Sequence, residues 1–232
     1  MSAYSVLDFF LAAFAVFFVP VQAALAGRNY ARTPRSELNL AGRYRFAILR
    51  NLALIILIVL DWHWTKRSLS ALGLDIPIGF WGRAGFVFDV VLACYYVYGL
   101  LLRKFTSERL AILRKRLEGY RILPQTREEF FYFPILGVTG GIFEELLYRG
   151  FLIWFLTPFA GLYGAVVISS VIFGFGHAYQ GWRGVLRTAL IGLAFGIGYA
   201  LTHSLWWLMA AHVLIGLFAD LIALRLKRLA SA

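Results

Sequence analysis

Along the whole chain run apolar stretches of roughly 18 to 25 residues, each long enough to cross a hydrocarbon layer of about 30 Å as a helix. Lipid offers the backbone no hydrogen bonds, so a stretch of this kind must satisfy its amides internally, which a helix does. Composition agrees: 61% of the 232 residues are hydrophobic and 15% charged, with a mean hydropathy of +0.74, far from the roughly quarter-charged mix of a soluble domain. The expected fold is all-α, a polytopic transmembrane helical bundle of about seven spans near 5–26, 46–62, 84–102, 130–155, 160–179, 184–202 and 205–225. Pro20 and Gly-rich stretches bend some spans, which neighbouring helices tolerate. The stretch 62–83, with Pro77 and several glycines, reads as a loop that dips into the interface. The lone cysteine, Cys94, rules out a disulfide framework and reads as packing.

The formal charge of +11 invites a nucleic-acid reading, and the placement of the basic residues argues against it. Arg28, Arg32, Arg35, Arg43, Arg45 and Arg50 fall in the first loop and the start of the second span. A further block runs from Arg103 to Arg127, and Arg183, Arg187, Arg225, Lys227 and Arg228 complete one side. Lys66, Arg67 and Arg83 fall on the other. Such asymmetry marks the cytoplasmic face, so the N-terminus is expected outside and the C-terminus in the cytoplasm. The third loop interleaves Leu110, Ile112, Leu113 and Leu117 with its charges, which predicts an amphipathic helix on the membrane surface. Membrane lipid, rather than nucleic acid, is the partner of this charge. Met1 to Phe10 contains no Lys or Arg and so lacks the basic region of a signal peptide; it reads as part of a mature first helix.

Charges in the middle of a span cost roughly 2.5–3.5 kcal/mol each, which makes Glu144-Glu145-Leu-Leu-Tyr148-Arg149 the most informative string in the sequence. Glu145 and Arg149 are spaced i, i+4 with the acid first, the favourable order for a helical ion pair. Glu144 has Tyr148 one turn on, so it is the carboxylate left over and the better candidate base. His177, one turn after Phe173, and His212 in the last span are the histidines that fit such a site; each taken alone reads as a structural hydrogen-bonder. The bland alternative for the set is a buried Glu-Arg pair acting as packing glue. Counted along straight helices from their cytoplasmic ends, Glu144, His177 and His212 lie about 15, 9 and 20 Å deep, so a shared site requires tilted or broken helices. His63 and His203 read as interfacial, Asp89 as paired within the bundle, and Asp220 as a further candidate two turns after His212.

Taken together, Glu144-Glu145-x-x-Tyr148-Arg149, Phe173-x-x-x-His177 and His212 resemble the ordered motifs of the CPBP family of intramembrane proteases, the type II CAAX prenyl endopeptidases and their bacterial relatives. The resemblance covers about residues 128–225 and divides the chain into N-terminal helices with a basic loop (1–127) and a catalytic core (128–232). It implies an endopeptidase of a membrane, the bacterial inner membrane by analogy, that cleaves a membrane-associated peptide or protein. In that reading Glu144 activates a water, His177 and His212 bind it or stabilise the oxyanion, and Glu145 with Arg149 orders them. Glu144, His177 and His212 also make a conceivable zinc set with an open fourth position, although HExxH is absent; both mechanisms use the same residues. One departure stands out: the family's last motif carries Asn or Asp four residues after the histidine, where this chain has Gly216. That favours a second reading, an inactive relative serving in bacteriocin immunity or as a scaffold. A transporter or proton relay is a third. Substrate identity and its prenylation are beyond the sequence.

Overall fold

The computed structural model describes residues 4–76, 79–101 and 122–230, and is helical throughout with no strands among the described residues. The helices are α1 (Val6–Arg32), α2 (Leu40–Trp64), α3 (Phe80–Leu101), α4 (Arg127–Glu144), a π-helical continuation of α4 (Glu145–Leu152), α5 (Ile153–Phe175), α6 (Trp182–Thr202) and α7 (Trp206–Ala230). The predicted surface helix of the third loop lies outside the described residues.

Local sequence fixes the helix starts. Ser5 and Asp8 form a reciprocal capping box at α1, Asn39 accepts from the Gly42 amide at 2.9 Å to cap α2, and Thr126 with Glu129 forms a second capping box at α4. Five helical runs are long and apolar enough to cross a membrane, and Trp206–Phe218 is a shorter apolar one. The fourth run, Arg127–Phe175, spans 49 residues, too many for one crossing, and it breaks at Gly161 (φ 67°, ψ 166°), three residues after Pro158. Beyond that break the chain folds back on itself: Ser169 Oγ donates to the Tyr148 carbonyl at 2.7 Å.

The outward faces carry Phe10, Phe17, Leu49, Ile56, Val59, Val90 and Val97, as expected of helices whose solvent is lipid, and Cys94 is exposed with them rather than packed inside. The core gathers Ile58, Trp62, Leu72, Leu147, Phe151, Leu152 and Leu205. The 62–83 segment therefore dips further than expected: Leu72 is fully buried, and the Gly73 carbonyl accepts from the Leu205 amide at 2.7 Å.

Ion pairs pin both ends. Arg67 donates to Asp8 at 2.7 Å and to Asp61 at 3.2 Å, stacked on Trp62 and Trp154, which ties the start of α1 to the end of α2. At the basic end Arg35 meets Glu129 at 2.6 Å, and the Tyr44 hydroxyl donates to the Ile122 carbonyl. Asp89 is a correction: it is buried, yet neither carboxylate oxygen has a hydrogen-bond partner among the described residues.

Candidate active site

On α4 the residues Gly137, Gly140, Gly141 and Glu144 share one face, flanked by α2 on one side and α7 on the other. A Cβ on Gly141 would lie 3.1 Å from Val213 Cγ2 and 3.3 Å from the Val213 amide nitrogen, so the glycine admits the α7 backbone and sets His212 against α4. Glu145 is fully buried, and its Oε1 accepts from Arg149 Nη1 at 3.0 Å and from His212 Nδ1 at 2.7 Å. Arg149 continues the brace: its Nη2 donates to the Gly192 carbonyl of α6 at 3.3 Å, and its guanidinium lies 4.3 Å from the Phe173 ring centroid. One carboxylate and one guanidinium thus lock α4, α6 and α7 together.

Glu144 is held differently. Its Oε2 stands 3.7 Å from His212 Nε2 and 3.9 Å from His177 Nε2, and accepts no hydrogen bond from any described residue. His177 is not on the helix as expected: α5 ends at Phe175, and His177 follows in the turn, its Nδ1 3.0 Å from the Phe173 carbonyl. A carbonyl only accepts, so that Nδ1 carries the proton and Nε2 turns toward Glu144. The Tyr148 hydroxyl is buried without a partner among the described residues, with its ring packed edge-on against Phe173 at 5.1 Å. All six residues singled out in the sequence, Glu144, Glu145, Tyr148, Arg149, His177 and His212, therefore converge. The depth count asks for a tilted or broken helix, and the end of α5 at Phe175, two residues before His177, is such a break. His63 and His203 are exposed, and the side chain of Asp220 lies outside the described residues.

Four of the converging residues, Glu144, Tyr148, His177 and His212, line a cavity of about 1070 Å³ that reaches to Tyr30, Arg43 and Arg187 at the basic end, while Glu145 and Arg149 lie buried behind it. Sequence reasoning missed one wall. Arg50 was counted only as a cytoplasmic-side charge at the start of the second span, but it faces the cavity, with Nη1 on Gln22 Oε1 at 2.7 Å and Nη2 on Asn51 Oδ1 at 3.0 Å. It lies within electrostatic range of Glu144 and Tyr148. The signal was present as a helical stripe: Asn39, Arg43, Phe46, Ala47, Arg50 and Asn51 recur at three- and four-residue steps on one face of α2.

A zinc ion with bonds of about 2.0–2.1 Å in a tetrahedron sets its ligand atoms about 3.3–3.4 Å apart. The separations of 3.7 and 3.9 Å from Glu144 Oε2 are wider, and no group of three His, Cys, Asp or Glu side chains among the described residues is disposed to hold a metal. The spacing suits a hydrogen-bonded water, whose contacts run at about 2.8 Å. The residues do not fit a metal as they stand, and no step below runs through one.

Fold and site together define a helical membrane protein with a carboxylate and two imidazoles facing one internal cavity. Residues 126–218, from the cap of α4 into α7, match the family described as "Type II CAAX prenyl endopeptidase Rce1-like", so this part of the chain is similar to a family of proteases. No curated protein and no solved structure matches the chain.

Proposed function

We propose that the chain is an intramembrane endopeptidase in which Glu144 activates a water for attack on a peptide carbonyl. The observation that carries this reading is the Glu144 Oε2 atom, buried and unpartnered with two imidazole Nε2 atoms at 3.7 and 3.9 Å, separations that a hydrogen-bonded water can bridge. Proton counting assigns the roles. A water has two protons to donate, and the neutral imidazoles and the carboxylate would all accept, so one of the three must bring a proton of its own. We assign that proton to His212, whose Nδ1 donates to the Glu145 carboxylate and whose Nε2 faces Glu144. The water then donates to Glu144 and to His177.

In the reaction the water proton moves to Glu144 Oε2 as the water oxygen bonds to the carbonyl carbon. The carbonyl electrons move onto oxygen, and the His212 Nε2–H donates to that oxyanion. As the tetrahedral centre collapses, the C–N bond breaks and the amine leaves with the proton held by Glu144. Glu145 and Arg149 keep the His212 ring in place, and the Tyr148 hydroxyl is a further donor toward the same space.

The cavity extends toward the end that carries Tyr30, Arg43 and Arg187, and the basic-residue asymmetry supports placing that end on the cytoplasmic side; the membrane, by analogy with the family, would be a bacterial inner membrane. A membrane-associated peptide would enter from there, with the N-terminal helices α1 and α2 forming one wall. The test compares the protein N-termini found in membranes carrying the wild type and Glu144→Gln, each with and without a chelator. Termini that disappear in the variant and survive the chelator are expected; identical sets of termini refute the hydrolase reading.

A further inference from the structure

Gly216 faces the cavity from α7 and offers no side chain where a hydrogen-bond donor would assist the oxyanion. An added Cβ there would meet only the Gly137 Cα, at 4.0 Å, so the gap is open space and not filled by packing. The opposite flank of the same α4 face is α2, and it presents Asn51. This amide is nearly fully buried, and its orientation is dictated: a guanidinium only donates, so Arg50 Nη2 at 3.0 Å must meet Oδ1, which turns Nδ2 the other way. That nitrogen lies 3.8 Å from where a Gly140 Cβ would stand, one turn before Glu144 on the cavity face of α4. No hydrogen bond among the described residues occupies it. Arg50 is itself pinned from α1 by Gln22 at 2.7 Å, so the chain Gln22, Arg50, Asn51 is fixed before substrate arrives.

We infer that Asn51 is the second oxyanion donor of this enzyme, contributed by α2 in place of the side chain absent at Gly216, with Arg50 as its positioning residue. The inference rests on the hydrolase reading above. In the step where the carbonyl electrons move onto oxygen, the Asn51 Nδ2–H and the His212 Nε2–H donate to the same oxyanion, and both retain their protons. The nearby Arg50 charge adds favourable potential at the moment the negative charge appears. On this account the N-terminal helices, which carry no family motif, complete the site, and Gly216 does not mark an inactive protein.

The experiment uses the full chain in native membranes and then, in liposomes, a synthetic peptide spanning one cleavage site found to depend on Glu144. Asn51→Ala is expected to lower kcat about 100-fold with little change in KM, the loss typical of one oxyanion donor. Gly216→Asn, whose Cβ enters open space, is expected to restore at least a tenth of the wild-type kcat when combined with Asn51→Ala. Arg50→Lys, which keeps the charge and loses the fork, is expected to fall between wild type and Asn51→Ala. A structural role for Asn51 predicts lowered thermal stability and no rescue by Gly216→Asn, and that pattern overturns the inference. Unchanged kcat in Asn51→Ala, with Glu144→Gln inactive, overturns it while leaving the hydrolase reading intact. The absence of any Glu144-dependent cleavage removes both.

Discussion

Glu144→Gln and Glu145→Gln are nearly the same chemical change one residue apart, and the structure predicts opposite consequences for them. Glu145 is fully buried with one oxygen shared between Arg149 at 3.0 Å and His212 at 2.7 Å. Its amide variant keeps at best a neutral acceptor and leaves the Arg149 guanidinium, 2% exposed, without a counter-charge. Stranding one member of a buried ion pair costs about 3–5 kcal/mol. In a chain of this size each kcal/mol corresponds to roughly 2–4 °C, so the melting temperature falls by about 6–20 °C. Glu144 has a 27% exposed side chain and no hydrogen bond from a described residue, so its amide variant changes stability by about 0.5 kcal/mol or less. The variant nonetheless loses the proton acceptor, worth roughly 10²–10⁴ in rate. Thermal unfolding of the detergent-solubilised variants by tryptophan fluorescence measures the first quantity, and turnover of a Glu144-dependent peptide the second. The reasoning is refuted if Glu144→Gln melts as low as Glu145→Gln, because Glu144 would then be packing glue rather than a free carboxylate.

Three other perturbations probe the frame. Gly141→Leu wedges α4 from α7 where even a Cβ stands 3.1 Å from Val213; it should cost about 1–3 kcal/mol and reduce cleavage, both read on the same preparations. Arg67→Met leaves Asp8 and Asp61 buried without their cation at the far end of the bundle, so it should lower thermal stability by about 3–5 kcal/mol while turnover per folded molecule stays unchanged. Asp89→Leu removes a buried carboxylate with no described partner, and is expected to be neutral or stabilising by about 1–4 kcal/mol; a lowered melting temperature would assign Asp89 a partner it lacks here.

The helical membrane class and the Glu144–Arg149 cluster were legible from local pattern, and His177 and His212 joined them through the family resemblance. A span announces itself by length and hydropathy, and a charge inside one announces its cost. What was not legible depended on places where the helix stops being regular. The apolar pattern already separates 130–155 from 160–179, next to the turn at Gly161; what it lacks is the early end of α5 at Phe175, which frees His177 to fold back on the Phe173 carbonyl. A Gly-Phe-Gly string does not specify such an event by itself. Arg50 was misplaced for another reason. Counting positive charges assigns a side of the membrane and says nothing about whether a given residue faces headgroups or an internal cavity; only the Arg43-Arg50-Asn51 stripe held that information.

Between lipid-facing helices the hydrophobic effect supplies little preference for one register over another, so register must come from close packing and from polar contacts that tolerate no slippage. Among the described residues such contacts include Arg67 with Asp8 and Asp61, Glu145 with Arg149 and His212, and Arg35 with Glu129. Each joins helices that are distant in sequence. Sliding any one helix by a turn would move a buried charge about 5.4 Å from its partner, and that is the cost that holds the frame. Within it, Asp89 has a hydrogen bond to neither carboxylate oxygen among the described residues, Glu145 leaves only Oε2 without one, and the half-buried Glu144, with Oε2 unpartnered, is the one that faces the cavity. A frame whose other charges are committed to holding position can keep one carboxylate uncommitted, because the geometry around Glu144 then does not depend on Glu144 itself. That separation is why the residue that would do the chemistry is also one the fold can lose.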